Sequence, residues 1–423
     1  MGKNVRLAPA ELEFVAGRFA QYYRDHPLVP PPRLARREVA MFPFAASDLM
    51  RRHLAFPAPE ELRAFLRRDP PRHLYYSTAY YRQPDASSMN AKQWLGADLV
   101  FDLDADHLRQ VEGLDYPAQL ERVRARFRTL LDDFLFGDFG IDPASTQLVF
   151  SGNRGYHAHI RSEAVLTLTS AERRELVEYI LGIGTQPQSA VGPPTSMGAE
   201  AIVEHGAASS AVGRRQSRAI ARPFVHLAPT DAPGWQGRTS RAVLQLLERW
   251  EELGAVEATR EMERAGLEHQ RASKLAHQLL SKNHPRMIRE HRSLDVFPRL
   301  VSEQLLEVVL KIAAVEVQGE TDAPVTTDIH RLIRWPGSLH GGSGLRVVSL
   351  EREELDRFDP LRDAVVEADG AAPVRVELSS AVHLPFGQGR IEGAAGDRLE
   401  LSAPAAVFLV LRGEATLAAP VPA

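Results

Sequence analysis

The sequence of 423 residues contains no cysteine. Disulfide bonds, iron–sulfur clusters and thiolate zinc sites are therefore excluded for this chain alone. Any metal ion must instead be bound through oxygen atoms or through the imidazole nitrogens of histidine.

Long apolar runs are also missing from the sequence. No stretch of roughly 18 uninterrupted apolar residues occurs, and the N-terminal residues Met1–Arg6 have no apolar signal core. The sequence therefore predicts a cytoplasmic protein with no membrane partner. With 44% hydrophobic and 25% charged residues the chain is typical of water-soluble proteins, and its length predicts two or three structural units.

The clearest strand signals lie in the first 165 residues. Apolar residues alternate with others along Ala97–Asp104, and strand character returns at Thr146–Phe150. It resumes after Ser151–Gly155, so we predict two strands joined by a hairpin-like turn. A further strand is expected within the run Arg36–Phe42, and an amphipathic helix is expected over Tyr116–Leu135.

Helical signals dominate the middle of the chain. Thr169 and Glu172 have the spacing of a capping box, so a helix is expected to begin there and to run to about Leu181. A Pro/Gly/Ser-rich stretch follows at Gly184–Gly198, which we interpret as a flexible linker. Residues 240–293 are polar, charged and helix-favouring, with enough apolar side chains to cover a core.

Short strand-like runs return in the tail, for example at Leu345–Leu350 and Ala406–Leu411. The sequence therefore predicts an α/β (α+β) fold in which mixed sheets are flanked by helices. We predict a discontinuous α/β domain formed by residues 1–165 and 296–423. Residues 166–295 are predicted to form a mainly helical insert that includes the flexible linker.

Two aspartates close the strand predicted at Ala97–Asp104. Asp102 and Asp104 are two residues apart, so in a strand their carboxylates project from one face with Cα atoms roughly 6.5–7 Å apart. Hard divalent ions such as Mg²⁺ prefer carboxylate and phosphate oxygens, and Asp106 on the same face could assist. The pattern alone is equally compatible with a solvated acidic strand end.

The segment Ser151–His157 combines two glycines with a serine, an arginine and a histidine. Glycines let backbone N–H groups approach an anion, so the turn is a candidate cradle for a triphosphate. The alternative is that His157 and His159, which share one strand face, form a partly buried pair with ordinary hydrogen bonds.

A third cluster spans Asp322–Gly341. It contains a further carboxylate, two arginines spaced three apart on an expected helix (Arg331 and Arg334), and a Ser-x-His sequence that ends at His340. The simpler alternative is that an aspartate of this cluster only caps the helix.

At these three clusters the sequence resembles the small subunit of archaeal and eukaryotic DNA primases, which belong to the archaeo-eukaryotic primase superfamily. The resemblance rests on Asp102-Leu103-Asp104, on Ser151–His157 and on Asp322 through His340, which agree in order, spacing and residue type. Weaker similarity, as at Arg37-Glu38 and Arg51-Arg52-His53, extends across most of the first 165 residues.

The resemblance implies that the discontinuous domain is a primase-type catalytic domain. It implies that two Mg²⁺ or Mn²⁺ ions are held by Asp102, Asp104 and Asp322. It also implies contacts to the nucleotide phosphates from Ser151, Arg154, His157, Arg334 and His340. Glu38 is expected near the initiating nucleotide, and Arg52 near a triphosphate.

Two features depart from the family's pattern. Asn153 and Gly342 stand where many relatives have a basic residue, so the expected phosphate site carries less positive charge at these positions. Many relatives also carry a Cys-rich zinc knuckle soon after the D-x-D strand, whereas His107–Phe127 contains no cysteine here. We infer that metal-free packing replaces the knuckle.

The resemblance implies a catalytic subunit of DNA primase. Such a subunit is a nucleotidyltransferase that uses nucleoside triphosphates to make short RNA or DNA primers on single-stranded DNA for replication, with a separate large subunit as partner. The nearest alternative is a repair or end-joining polymerase of the same superfamily. A non-catalytic nucleic-acid-binding subunit is less favoured, because all three carboxylates are present. A glycosyltransferase with a D-x-D motif would not explain the second and third clusters.

Basic residues offer two candidate surfaces for the template. The net charge of −4 gives no overall nucleic-acid signature, so template binding would depend on a local patch. The candidate residues are Arg214, Arg215, Arg218 and Arg222 in the middle of the chain, and Arg36, Arg37, Arg51 and Arg52 near its start. All but five of the 51 basic residues are Arg, so both clusters could equally reflect composition.

Overall fold

The computed structural model describes residues 6–44, 49–108, 111, 113–184, 227–281, 283–293, 304–305, 307–313, 318–366 and 372–418. The chain divides into two compact units. The first comprises Met1–Leu181 together with Gly319–Ala423, and the second comprises Gly182–Gln318.

The described helices and strands follow one another in a mixed order. The helices are α1 Pro9–Asp25, α2 Pro59–Arg68, α3 Tyr116–Thr129, α4 Glu163–Leu166, α5 Ser170–Ile180, α6 Gly234–Leu253, α7 Ala255–Arg264, α8 His269–Leu280, α9 His284–His291, α10 Ala323–Thr327, α11 Pro360–Asp363 and α12 Ala403–Arg412. The strands are β1 Val39–Phe42, β2 Arg51–Leu54, β3 His73–Ser77, β4 Ala79–Tyr81, β5 Trp94–Ala97, β6 Leu99–Asp104, β7 Thr146–Phe150, β8 Gly155–Ile160, β9 Leu332–Arg334, β10 Val348–Leu350, β11 Val374–Leu378, β12 Val382–Phe386, β13 Gly389–Gly393, β14 Arg398–Leu401 and β15 Ala415–Leu417.

Two four-stranded antiparallel sheets form the centre of the first unit. One has the strand order β2-β1-β3-β9 and the other has the order β10-β7-β8-β6. Val100 of β6 lies in the same buried apolar cluster as Val39, Tyr76 and Ile333 of the other sheet. Apolar side chains therefore join the two sheets. Asp102 and Asp104 project from the same face of β6 as Val100, because alternate residues of a strand share a face.

The predicted hairpin is confirmed. The alternation of apolar residues allows β7 and β8 to pair in register from Thr146↔Ile160 to Phe150↔Tyr156. The capping box at Thr169 is also present, because its hydroxyl accepts from the Glu172 N–H while the Glu172 carboxylate accepts from the Thr169 N–H. The predicted helix at Tyr116–Leu135 begins as expected but is regular only to Thr129, beyond which it continues as a π-helix over Leu130–Asp138.

Two predicted elements are wrong. The run Ala406–Leu411 lies in helix α12, not in a strand, and it is buried along its whole length. When a short apolar run is buried on every side, its sequence shows no periodicity that would distinguish a helix from a strand. Arg331 and Arg334 do not lie on a helix either: α10 ends at Thr327, and Arg334 is the last residue of strand β9.

The second unit is helical, with a core built from α6, α7, α8 and α9. The structure shifts its boundaries relative to the predicted insert of residues 166–295. Helix α5 belongs to the first unit, since Arg173 donates to the carbonyl oxygens of Ala97 and Asp98 at 2.9 Å. At the other end, Leu305 and Leu310 are buried in the helical core. Hydrogen bonds from Arg173 at one end and buried leucines at the other therefore decide which unit each segment joins.

Two predictions fall on other parts of the chain. The linker at Gly184–Gly198, apart from Gly184, lies outside the described residues, as do Arg214, Arg215, Arg218 and Arg222. Within the part of the chain that is described, no helix combines the length and apolar character that a membrane span requires.

Candidate active site

Strands β6 and β8 bring the first two clusters together. Their antiparallel register places Asp102 opposite His157 and Asp104 opposite Gly155. The His157 Nε2 atom lies 3.4 Å from Oδ1 of Asp102. Asp102 and Asp104 lie on one face of β6, because alternate residues of a strand share a face. The register with β8 therefore places both aspartates next to the glycine turn.

Asp322 reaches the same place from the far end of the sequence. Its backbone N–H donates to the carbonyl oxygen of Asp102 at 2.8 Å, and the Thr321 hydroxyl donates to that oxygen at 3.2 Å. Asp322 occupies the N-cap position of α10, but its side chain makes no capping hydrogen bond. Helix capping therefore does not account for this carboxylate.

Electrostatics identify Asp102 as the centre of the cluster. Burial, followed by the charges of Asp104 and Asp322, raises the pKa of Asp102 to about 8, against a weaker opposing effect of Arg331 and Arg334. Its side chain is 18% exposed, and its buried Oδ1 atom has no hydrogen-bond partner in the part of the chain that the structure describes. Three carboxylates thus repel one another where a cation would be stabilised.

The turn between β7 and β8 is held by Ser151 and shaped by its glycines. The Ser151 hydroxyl accepts from the Gly155 N–H at 3.1 Å, and the Ser151 N–H donates to the Gly155 carbonyl at 2.9 Å. Gly152 has φ of +83°, and a Cβ added there would lie 2.8 Å from Cβ of His340. The second and third clusters therefore meet at a position that excludes side chains.

Arg154 projects from this turn into an ion pair. One Nη atom donates to Asp106 at 2.6 Å, and the other donates to the side chain of Gln119 at 3.3 Å. Asp106 therefore forms an ion pair with Arg154 in this structure. The sequence had suggested instead that Asp106 could help Asp102 and Asp104 to bind a metal ion. The Arg154 side chain is 20% exposed, so its guanidinium remains accessible to a ligand.

Arg334 and His340 are organised by His73, which the sequence analysis did not single out. Arg334 donates to Nδ1 of His73 at 2.7 Å, and the Gly341 N–H donates to the same atom at 3.2 Å. Since Arg can only donate, Nδ1 of His73 is unprotonated. The His73 and His340 rings also meet edge to face, with centroids 5.2 Å apart.

The histidines of the site are neutral near pH 7. Burial, followed by the charges of Arg334 and Arg331, lowers the pKa of His157 to about 3. Burial and then nearby positive charges, chiefly that of Arg334, hold the pKa of His340 well below its usual range. Nδ1 of His340 accepts from the Gly342 N–H at 3.1 Å, so the ring proton resides on Nε2. That nitrogen is suited to donate to an anion.

Glu38 and Arg52 form a separate pair in the other sheet. Arg52 donates to both carboxylate oxygens of Glu38, at 3.0 and 3.3 Å, and the His53 N–H adds a third bond at 3.1 Å. This geometry requires a β-bulge between β1 and β2, where His53 has φ of +60°. Glu38 is fully buried and Lys92 lies 3.6 Å away.

The predicted residues thus fall into two groups. Seven are gathered around β6, the β7–β8 turn and the segment after Asp322: Asp102, Asp104, Asp322, Ser151, Arg154, His157 and His340, with Arg334 adjoining them through His73. In the described part of the chain, no hydrogen bond or ion pair links Glu38 or Arg52 to Asp102 or Asp104.

Arg37, one of the candidate template-binding residues, has a structural role instead. It is fully buried and donates to Asp98 at 2.8 Å and to the Tyr80 hydroxyl at 2.6 Å. A fully buried guanidinium cannot meet a template, so this part of the prediction is wrong. Arg36 and Arg51 remain exposed.

The residues present fit a hard divalent cation. The donors are carboxylates, and one buried oxygen of Asp102 accepts no hydrogen bond from any described residue. Among the described residues, no three His, Asp or Glu side chains stand close enough to form a complete ligand set. That arrangement suits Mg²⁺, which proteins commonly bind through one or two carboxylates with phosphate oxygens and water completing the shell.

Comparison with known proteins identifies the family. A family model described as DNA primase small subunit matches residues 101–352, which include all three carboxylates and the glycine turn. The DNA primase small subunit PriS of Methanothrix thermoacetophila is 38% identical over 95% of this chain and 97% of its own length. Its counterparts in Methanocella arvoryzae and Methanoregula boonei are 36% and 40% identical over 95% and 90% of this chain, and over 97% and 92% of their own lengths. This chain belongs to the family of DNA primase small subunits.

Proposed function

We propose that this protein is the catalytic subunit of a DNA primase. It synthesises short RNA or DNA primers on single-stranded DNA for replication, by nucleotidyl transfer with two Mg²⁺ or Mn²⁺ ions. The observation that carries the proposal is the convergence of Asp102, Asp104 and Asp322 beside the Ser151–Gly155 turn. The separate large subunit of a primase is the expected protein partner, as the names of its relatives suggest.

Three carboxylates would hold the ions: Asp102, Asp104 and Asp322. Divalent ions bound there would lower the pKa of the attacking 3′-hydroxyl and would neutralise charge on the triphosphate. The contribution of the protein is a fixed, partly buried set of oxygen atoms. The hydrogen bond from the Asp322 N–H to the Asp102 carbonyl oxygen holds the backbone of Asp322 beside that of Asp102.

The glycine turn and three cationic or N–H donors would bind the triphosphate. Arg154 and Arg334 offer planar forks suited to phosphate oxygens, and the Nε2–H of His340 adds a neutral donor. His73 orients Arg334, which lowers the entropy lost when the arginine binds phosphate. For Arg154 the phosphate would replace the carboxylate of Asp106 as the partner.

The Glu38–Arg52 pair would serve the initiating nucleotide. Arg52 is 38% exposed, whereas Glu38 is fully buried beneath it. The carboxylate therefore holds the guanidinium in a fixed orientation, in which Nη1 is the nitrogen that Glu38 does not engage and that would donate to a triphosphate. Loss of this pair should impair initiation more than extension of an existing primer.

De novo synthesis on single-stranded DNA tests the proposal. The wild-type protein, with nucleoside triphosphates and Mg²⁺ or Mn²⁺, is compared with Asp102→Asn and with Asp132→Asn, whose carboxylate forms an exposed ion pair with Arg352. Short products from the wild type and Asp132→Asn, but none from Asp102→Asn, would support a metal-dependent primase.

Other results of the same assay would point elsewhere. Extension of supplied primers without initiation would favour a repair or end-joining polymerase of the same superfamily. Absence of synthesis by the wild type, with and without a large subunit, would overturn the catalytic assignment and leave a nucleic-acid-binding role.

A further inference from the structure

Arg72 is fixed against the loop that follows His340. It lies between α2 and β3, after Pro70 and Pro71, and its backbone N–H donates to the Phe42 carbonyl at 2.8 Å. Its Nε atom donates to the Gly341 carbonyl at 3.1 Å. A Cβ added to Gly341 would lie 2.5 Å from Cγ of Arg72, so the arginine stem packs directly on the loop.

The terminal nitrogens of Arg72 are uncommitted. In the described ranges they donate no hydrogen bond, and no carboxylate lies within 4.0 Å of them. By contrast, Arg52 is bound by Glu38, and Arg154 is bound by Asp106. Arg72 is only partly buried, so a ligand in the site can reach its guanidinium without displacing a protein carboxylate.

Arg72 lies close to residues that are expected to bind the nucleotide phosphates. The positive charges of Arg334, Arg72 and Arg154 all act on the buried His340 ring. Two positions of the same site, Asn153 and Gly342, carry no charge. Because Gly342 directly follows the residue that anchors Arg72, the guanidinium brings a positive charge to a stretch of loop that has none of its own.

We propose that Arg72 is a further phosphate-binding residue of this site, which donates its terminal N–H groups to the polyphosphate of the incoming nucleoside triphosphate. The inference rests on the proposed function, since it assumes that a nucleotide occupies the site. The Nε bond to Gly341 holds the guanidinium plane, and the two Nη atoms form a fork for phosphate oxygens.

Nucleotide affinity measured without catalysis tests the inference independently of the reaction. Binding of ATP with Mg²⁺, and of inorganic tripolyphosphate alone, is measured by calorimetry on the full chain carrying Arg72→Gln or Arg72→Lys. Arg72→Gln should weaken both ligands by about tenfold, since it removes a charge-assisted hydrogen bond. Arg72→Lys should recover part of the loss, because it keeps the charge but not the fork.

Arg346→Gln is the matched control, because Arg346 also donates to a backbone carbonyl, that of Asp363, at 3.1 Å. Unchanged affinity in Arg72→Gln would overturn the inference. So would an equal loss in Arg346→Gln, which would indicate a general structural effect.

In primer extension, Arg72→Gln should raise KM for the nucleotide by a similar factor and leave kcat within about twofold. A wild type that binds ATP but synthesises nothing would count against the proposed function, while the binding comparison would still decide the role of Arg72.

Discussion

The two ends of strand β6 carry acidic residues with opposite surroundings. Just before the strand, Asp98 accepts from Arg37 at 2.8 Å, from Arg161 at 3.3 Å and from the Tyr80 hydroxyl at 2.6 Å. At the other end, Asp102 has Asp104 and Asp322 as charged neighbours, and one of its oxygens is buried with no hydrogen-bond partner among the described residues.

The difference separates a structural carboxylate from a functional one. A buried charge that the protein itself neutralises joins elements of the fold, and here it joins β6 to the start of β1 and to β8. Carboxylates that the protein leaves to repel one another are stabilised by an external cation or, without one, by taking up a proton. A structural carboxylate thus directly precedes a strand of six residues that ends in the functional ones.

The largest effect on stability is expected from Asp98→Asn. The substitution leaves the fully buried Arg37 without a counter-charge, and the free energy of unfolding should fall by about 3–5 kcal/mol. Guanidinium chloride denaturation measures it. Asp69→Asn, which removes an ion pair with the exposed Arg68, should cost under about 1 kcal/mol and serves as the control. Equal effects from both would mean that Asp98 is not a structural carboxylate.

The opposite sign is expected from Asp102→Asn in the absence of divalent metal. At pH 7 a pKa of about 8 keeps the Asp102 carboxyl largely protonated in the metal-free fold, whereas the unfolded chain ionises it. A neutral Asn should therefore leave the free energy of unfolding unchanged or raise it by about 1 kcal/mol, although synthesis is lost. The raised pKa of Asp102 means that its ionisation destabilises the fold as pH rises above its unfolded value. The advantage of the variant should therefore shrink as pH falls towards the unfolded value of 3.8 and vanish well below it, where the carboxyl is protonated in both states. A variant that is clearly less stable than the wild type at pH 7 would contradict the comparison.

Substitution of two glycines, one in the β7–β8 turn and one outside it, tests the contact between the turn and His340. Gly152→Ala meets both an unfavourable φ of +83° and a close contact with His340, so it should cost about 2–3 kcal/mol and weaken nucleotide binding. Gly140→Ala has φ of +63° and nothing within 4 Å of the added carbon, so it should cost about 1 kcal/mol. Thermal unfolding and ATP titration check both. Equal costs would show that the contact with His340 is unimportant.

A dependence on pH is expected from Glu38. Burial acts to raise its pKa, but the hydrogen bonds from Arg52 and the His53 N–H outweigh burial and lower it. A lowered pKa contributes stability above the unfolded value of 4.5, and this contribution is lost as pH falls through the folded value. The stability difference between wild type and Glu38→Gln should therefore be constant above pH 6 and shrink below pH 4.5. Urea denaturation measures this difference, and a value that does not change with pH would contradict the lowered pKa of Glu38 and its pairing with Arg52.

The sequence predicted what local rules control. Alternation and turn residues specify β6, β7 and β8 and the register that sets Asp102 beside His157. Asp322 was placed with the other carboxylates only through the family resemblance, since no local rule brings it to Asp102. Helix α12 was missed because an apolar run buried on all sides looks the same in either structure.

Other parts of the site depend on contacts between residues that are far apart in the sequence. Arg72 meets Gly341 and His73 meets Arg334, although more than 250 residues separate each pair. Arg37 looked like a surface cation because its sequence neighbours are basic, and only the fold brings Asp98 to it. Burial and pairing of charged residues are tertiary properties, and single-sequence patterns do not report them.

The hydrogen bond between Asp322 and Asp102 also has a consequence for the order in which the protein is made. Asp322 follows Asp104 by more than two hundred residues. At the usual pace of translation, the ribosome therefore releases the first two carboxylates roughly 10 to 40 seconds before the third. A chain that terminates early within the helical unit carries the glycine turn and the D-x-D strand but no third carboxylate. Only translation past Asp322 supplies the complete acidic cluster.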